Sequence, residues 1–315
     1  MTTSFEVLTM GRVGVDIYPH QIGVGLEDVT SFGKYLGGSP TNVAVAAARL
    51  GRRTAVITRT GPDPFGRFIH QALRAFGVDD RFVSDVPGLP TPVTFCEIFP
   101  PDHFPLYFYR QPKAPDLEIR TDSLDFDAIA AADVFWVTGT GLCTEPSRSA
   151  TMAALEARGE HGLSVLDLDY RPMFWESGDE AHRAVQAALP LVEVAIGNLD
   201  ECEVAVRTRD PHAAAGALQQ AGVELAVVKQ GPAGVLGVRG DEWVVVPPLE
   251  VEVVNGLGAG DAFGGALCHG LLSSWDLEHV LRFANAAGAL VAGRLACADA
   301  MPTALELDDL LGVSR

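Results

Sequence analysis

"TAVITRTGPDPFGRFIHQALRAFG", residues 54–77, reads as a single strand–turn–helix unit. Residues 54–60 are short, β-branched and nearly continuous in apolar character, as in a strand covered on both faces. Asp63 is placed to cap a helix, Pro64 to sit at its first position, and Gly77 to let the chain leave it. The same rhythm recurs down the chain. "DVFWVTGT" (133–140) precedes "EPSRSATMAALEARG" (145–159), and "SVLDLDY" (164–170) precedes a helix near 179–190. "VEVAIGNL" (192–199) follows, and "LAVVKQG" (225–231) comes after an alanine-rich helix at 211–221. Apolar strands alternating with helices predict an α/β fold with a mostly parallel sheet clad by helices on both sides, a three-layer sandwich.

Two stretches break this rhythm. Residues 13–36 and 91–110 contain "TPVTFCEIF" and "PLYFYR", alternating and aromatic, with no helix between them. They predict a small antiparallel sheet inserted beside the main one, as a β lid over the carboxyl ends of the strands where ligands of open α/β folds bind. With no polar linker or repeat in between, residues 1–315 are expected to form one domain carrying this lid.

The bulk composition narrows the partners. The chain has 48% hydrophobic and 20% charged residues, an ordinary globular mixture. With 23 basic against 41 acidic residues its net charge is −18, which argues against nucleic acid or anionic membrane as a partner. An anionic small molecule would need local cations and backbone dipoles. No apolar run is long enough to span a bilayer, and residues 1–12 read as a strand rather than a signal peptide, so a cytoplasmic location is expected. The five cysteines are widely spaced and without C-x-x-C, as buried free thiols would be.

The glycine-rich stretch "VVNGLGAGDAFGGALCHGLL" (253–272) carries the chemistry. A dinucleotide fingerprint starting at Gly258 would need glycine where Phe263 stands, and no G-K-[ST] follows as a Walker loop requires. What remains is Gly258, Ala259, Gly260 and Asp261 opening a helix. Unobstructed N–H groups and the helix dipole there make an anion hole, and the adjacent carboxylate can accept a proton from an attacking hydroxyl. From spacing alone, a tight turn with an ordinary helix-start aspartate fits equally well.

G-A-G-D before a small-residue helix resembles the C-terminal signature of the ribokinase, or phosphofructokinase-B, family of sugar kinases. That family's D-[TS] pair ahead of the signature is replaced here by Asn255-Gly256. "GGSPTNVAVAAARLG" (37–51) resembles the N-terminal signature. Gly37 and Gly38 allow close approach of a ligand, and Asn42 offers a donor and an acceptor. The resemblance implies that Gly38, Asn42 and Asp16, in "GVDIYP", contact the sugar. "NLDE" resembles the N-x-x-E motif, implying that Asn198 and Glu201 order water around Mg²⁺ and the nucleotide phosphates, although a helix cap explains the same spacing. "VVKQGPAG" (227–234) resembles the nucleotide-binding strand and turn, with Gly231 and Gly234 as contacts and Lys229 as either a phosphate ligand or a surface lysine. Asn285 matches the family's adenine-side asparagine. The resemblance thus implies a ribokinase-like fold, ATP with Mg²⁺, a monovalent cation such as K⁺ beside the loop, and a homodimer paired through the lid.

Neutral sugars need no cation. Here "YFYR" places Tyr109 and Arg110 at the end of the lid, and Arg171 ends "LDLDYR", so two guanidinium groups are expected to converge on a carboxylate. This resembles the family's kinases of keto-deoxy sugar acids, with Asp169 where they carry asparagine.

Overall fold

A computed structural model of the protein describes residues 4–159 and 161–312. The 54–77 unit has the expected local structure: strand Thr54–Thr60 leads into helix Pro64–Ala75. The Asp63 carboxylate accepts from the Gly66 N–H at 2.8 Å, and Gly77 leaves at φ +80°.

Ten strands build the main sheet. Across it run Glu242–Val246, Val235–Arg239, Leu225–Lys229, Val194–Asn198, Leu163–Asp167, Val134–Thr138, Val7–Met10, Thr54–Thr60 and Val78–Asp79, with Val83–Asp85 also on Thr54–Thr60. From Leu225–Lys229 onward every pairing is parallel, and the two strands at the other edge are antiparallel. Alternation along each strand feeds two cores. Val134 and Trp136 pack with Val43, Ile69 and Ala266 on one face. Phe135 and Val137 pack with Ile129, Ala150 and Leu218 on the other. Burial on both faces explains why these strands read as apolar runs rather than as alternating ones.

The parallel arrangement brings one end of each strand to one edge. Arg12 follows Val7–Met10, Thr140 follows Val134–Thr138, and Asp169 and Arg171 follow Leu163–Asp167. Asn198 and Lys229 close their own strands in register with each other. This carboxyl edge is where an open α/β sheet binds its ligands.

The second sheet has the order Phe32–Gly37, Gly14–Pro19, Val93–Cys96, Leu106–Tyr109. Its two outer pairings are antiparallel, as the sequence suggested, and its central pairing, Gly14–Pro19 on Val93–Cys96, is parallel. The reason is the connection: between Pro19 and Val93 the chain passes through the main sheet, and parallel neighbours need such a crossover. In this register Asp16 stands beside Thr94 and Thr94 beside Phe108 on one face, while Ile17, Phe95 and Tyr107 line the opposite face.

At the amino end of the strands, opposite the carboxyl edge, lies Arg158, the last residue of helix Ser147–Arg158 and fully buried. Its Nη1 donates to the carbonyls of Ile129 (2.7 Å) and Ala132 (2.6 Å), and its Nη2 to those of Asp133 (3.0 Å) and Leu163 (3.3 Å). One guanidinium therefore ties helix Phe126–Ala131 to the entries of two central strands. Among the described residues no helix is long and apolar enough to cross a membrane. All five cysteines are buried and free.

Candidate active site

Helix Ala259–Leu272 starts on the carboxyl edge. Its cap, Gly258, has φ +82°, and a Cβ there would stand 2.7 Å from Cys297 Sγ, so only glycine makes this entry. The first intrahelical bond runs from the Ala262 N–H to the Gly258 carbonyl at 2.9 Å. The N–H groups before it lack a helical acceptor and carry the positive end of the dipole.

Two cavities meet at this helix start. The smaller, about 50 Å³, lies under the lid and is lined by Asp16, Asn42, Phe108, Arg171, Gly258 and Asp261, among others. The larger, about 620 Å³, lies on the other side and is walled by Gly231, Gly234, Val253, Phe263 and Asn285, with Lys229 and Gly260 at its inner end. Gly258 and Asp261 thus border one cavity while Ala259 and Gly260 border the other.

Asp261 accepts from Asn42 Nδ2 at 2.8 Å, which ties the head of this helix to helix Ser39–Arg49. The Asn42 Oδ1 is buried and has no hydrogen-bond partner among the described residues, in a side chain that lines the smaller cavity. Burial raises the pKa of Asp261 above the ordinary carboxylate range; the hydrogen bond from Asn42 and the charge of Arg12 oppose that rise. Gly38, at φ +106°, brings the backbone so close to Arg12 that a Cβ would stand 2.4 Å from its carbonyl. A Cβ on Gly37 would run into the Asp16 carboxylate. Packing within the protein thus gives each glycine a reason of its own.

Asp16 is buried on the inner face of the lid and accepts from Tyr18 Oη at 3.0 Å. Burial pushes its pKa up to about 6, against the hydrogen bond from Tyr18 and the charge of Arg12. A folded-state pKa above the unfolded one means that ionised Asp16 costs stability above pH 6 and nothing below about pH 4. Asp16→Asn is accordingly expected to raise Tm by a few degrees at pH 7.5, with the gain fading as pH falls from ~6 to ~4, and to weaken acceptor binding. Calorimetry across that range checks this; an unchanged or lower Tm at pH 7.5 would show that the ionised carboxylate is not under strain.

Behind the cleft sits a charged cluster. Asp169, only 2% exposed and at φ +26°, accepts from Thr140 Oγ1 at 3.0 Å and pairs with Arg171 Nη2 at 3.1 Å. Burial works to raise its pKa, but Arg12 and Arg171 hold it below the ordinary range. Asp167 goes the other way: burial, with Glu201, Asp169 and Asp261 nearby, lifts it against the pull of Lys229. Burial pulls the Lys229 ammonium down, yet Asp167, Glu201 and Asp261 more than offset it and its pKa rises. A Cβ on Gly260 would stand 3.2 Å from Lys229 Nζ, so the ammonium lies beside the start of this helix, at the larger cavity.

Asn198 and Glu201 form a reciprocal helix cap: Asn198 N–H donates to Glu201 Oε2 at 2.7 Å, and Glu201 N–H to Asn198 Oδ1 at 2.9 Å. The other Glu201 oxygen and the Asn198 amide nitrogen make no hydrogen bond among the described residues. Asn285 donates to the Pro247 carbonyl at 2.9 Å from the wall of the larger cavity. Asn255 commits its whole side chain to the loop, donating to the Leu295 carbonyl at 2.7 Å and accepting from Leu257 N–H at 3.1 Å. A Cβ on Gly256 would stand 2.9 Å from the Phe104 ring of the lid turn, which gives a packing reason for glycine there.

Two expected residues are not brought to the cleft. Tyr109 follows Phe108, and because Phe108 takes the inner face of the lid, alternation sends Tyr109 outward, 65% exposed and edge-on to Phe95. Arg110 turns to the buried Asp116, 2.6 Å away, and its guanidinium sits 5.1 Å from the Phe174 ring centre. Arg171 reaches the cleft, but its neighbour there is Arg12, which sequence reading missed. "MGRVGVD" offers no local signal for it beyond a lone arginine after a strand.

Among known proteins, the pfkB family carbohydrate kinases match residues 5–304. The 5-dehydro-2-deoxygluconokinase of Geobacillus kaustophilus is 31% identical, covering 98% of this chain and 94% of its own. A double mutant of Vibrio cholerae fructokinase, solved with fructose, ADP and potassium, superposes with a TM-score of 0.86 at 27% identity, covering 99% of this chain and all of that one. Fructokinase from Xylella fastidiosa with bound ATP gives 0.84 at 25% identity, over 98% of both chains. The chain belongs to the pfkB family of carbohydrate kinases.

Proposed function

We propose that this kinase uses ATP to phosphorylate 5-dehydro-2-deoxy-D-gluconate on its 6-hydroxyl, a step of myo-inositol catabolism. The observation that carries this reading is the position of Asp261, at the head of a helix where a small polar cleft meets a larger, mostly apolar cavity. The lining of the cleft suits a sugar acid by its chemistry, with Asp16, Gly38 and Asn42 against hydroxyls and Arg171 at the acid end. The cavity fits a nucleotide, with Gly231, Gly234 and Asn285 along it and its phosphates toward Lys229 and the Ala259–Gly260 backbone. Asp261 accepts the hydroxyl proton as the γ-phosphoryl group transfers, and the helix start holds the charge that develops.

Among the described residues no group of three or more His, Cys, Asp or Glu side chains is arranged to hold a metal. The free oxygen of Glu201 instead suits a hydrated Mg²⁺, which when bound neutralises phosphate charge, and the free Asn198 amide N–H groups suit a phosphate oxygen. The potassium of the Vibrio fructokinase supports a monovalent cation as a further activator. The domain works as one unit with its lid, whose outer face carries exposed Phe32, Tyr107 and Tyr109 and is the face through which two copies would pair.

The substrate is tested by following ADP release over a panel of the proposed acid, 2-keto-3-deoxygluconate, fructose and ribose. The proposed acid is expected to give a kcat/KM at least ~10-fold above the others, since a carboxylate between guanidinium groups adds charge-assisted hydrogen bonds. A neutral sugar turning over as efficiently would overturn the assignment, and ATP consumption on none of them would overturn the kinase reading itself.

A further inference from the structure

Among the described residues, two cations lining the cleft under the lid are under-paired. Arg12 sits in the turn between strands Val7–Met10 and Gly14–Pro19 and lines the cleft, with its side chain 13% exposed. Among the described residues its side chain makes one hydrogen bond, a long one from Nε to Asp169 Oδ2 at 3.5 Å, and its guanidinium lies 5.9 Å from the Phe108 ring centre. Neither Nη group has an acceptor among the described residues, although a guanidinium taken from water needs partners for its donors. Arg171 is in a similar state: it pairs with the other oxygen of Asp169, and its buried Nε has no partner. Asp169 therefore holds two guanidinium groups side by side, one on each oxygen, on the wall of a cleft that also exposes Asp16 and Asp261.

A neutral acceptor has no use for two cations with idle donors. We infer that Arg12 is a specificity-determining residue that binds the substrate carboxylate together with Arg171, the pair being set in place by Asp169. The inference rests on the sugar-acid reading above and assigns to Arg12 the place that Arg110, tied to Asp116, does not take. Each guanidinium of such a pair can give a carboxylate charge-assisted hydrogen bonds. Thr140 remains on Asp169 throughout, so Asp169 keeps a donor when the guanidinium groups turn toward substrate.

The test is the KM of R12Q for the sugar acid, for its primary amide and for ATP, measured beside the wild type. The expected result is a ~10–100-fold rise in KM for the acid, a change below ~3-fold for the amide and for ATP, and partial recovery in R12K. A role confined to bracing Asp169 would instead move acid and amide together, and that outcome, or an unchanged KM for the acid, overturns the inference. Should R12Q not fold, R12K keeps the charge without the fork, and its acid-to-amide ratio decides in the same way. The two readings fail differently. If the wild type itself does not prefer the acid to its amide, the sugar-acid reading falls and this inference with it. If the wild type prefers the acid and the variant keeps that preference, only the role of Arg12 falls.

Discussion

Asp261→Asn is expected to lower kcat by ~10²–10⁴-fold while leaving nucleotide affinity nearly unchanged and Tm at neutral pH no lower than that of the wild type. Asparagine keeps the shape of the side chain and an oxygen to accept from Asn42 Nδ2, so the 2.8 Å tie between the two helices survives. What it loses is the capacity to take a proton. The anion hole is backbone and is untouched, which is why residual turnover is expected rather than none. In the wild type kcat falls as acid protonates Asp261, and burial places that fall above the pH at which an ordinary carboxylate titrates. The variant should lack this acid limb. Steady-state ADP release from pH 4.5 to 8, with calorimetric titration of ATP, measures both effects. An unchanged kcat would remove the proton-accepting role, and a parallel loss of ATP binding would make Asp261 a structural residue of the loop.

Arg158→Ala is expected to destabilise the protein by at least ~3 kcal/mol and to lower Tm by roughly 5–10 °C, with kcat/KM at 25 °C within about 2-fold of wild type. The guanidinium is fully buried and faces backbone carbonyls in place of a carboxylate partner. Burial depresses its pKa, the signature of a cation that the fold retains at a cost. Removing it leaves carbonyls unsatisfied and opens a cavity at the entry of two strands, so both penalties add. Arg158→Met separates them: it refills much of the volume without supplying donors and should recover only the smaller part. A Tm within 2 °C of wild type for the alanine variant would show that water satisfies these carbonyls as well as the arginine does.

Much of the fold was legible in the sequence because its signals are local. Runs such as "TAVITRT" and "DVFWVTGT" are apolar on consecutive residues, and that pattern serves only a strand buried on both faces. Asp63, Pro64 and Gly77 act on their own backbone, so their positions alone announce the helix between them. The glycine loop was legible for the same reason, since Gly258 needs its left-handed conformation whatever surrounds it. Asn198 and Glu201 show the limit of such reading. Their spacing fits a helix cap and a cation site alike, and the cap turns out to use half of each side chain and leave the other half free.

Sequence by itself determined the layers, the lid segments, the loop at the head of the helix and the acid that stands there. Only the tertiary structure decided which cations face that acid. Arg110 and Arg12 are equally long, flexible and charged, and nothing within a few residues of either tells them apart. The difference lies in what the fold delivers to each: Asp116 arrives beside Arg110 and closes it off, whereas Arg12 meets one oxygen of an Asp169 already shared with Arg171 and Thr140. The parallel pairing at the centre of the lid was settled in the same way, by a connection that runs through the main sheet. Local spacing acts through the backbone and is fixed along the chain; charge pairing acts through space, and its partners are known only when distant elements are brought together.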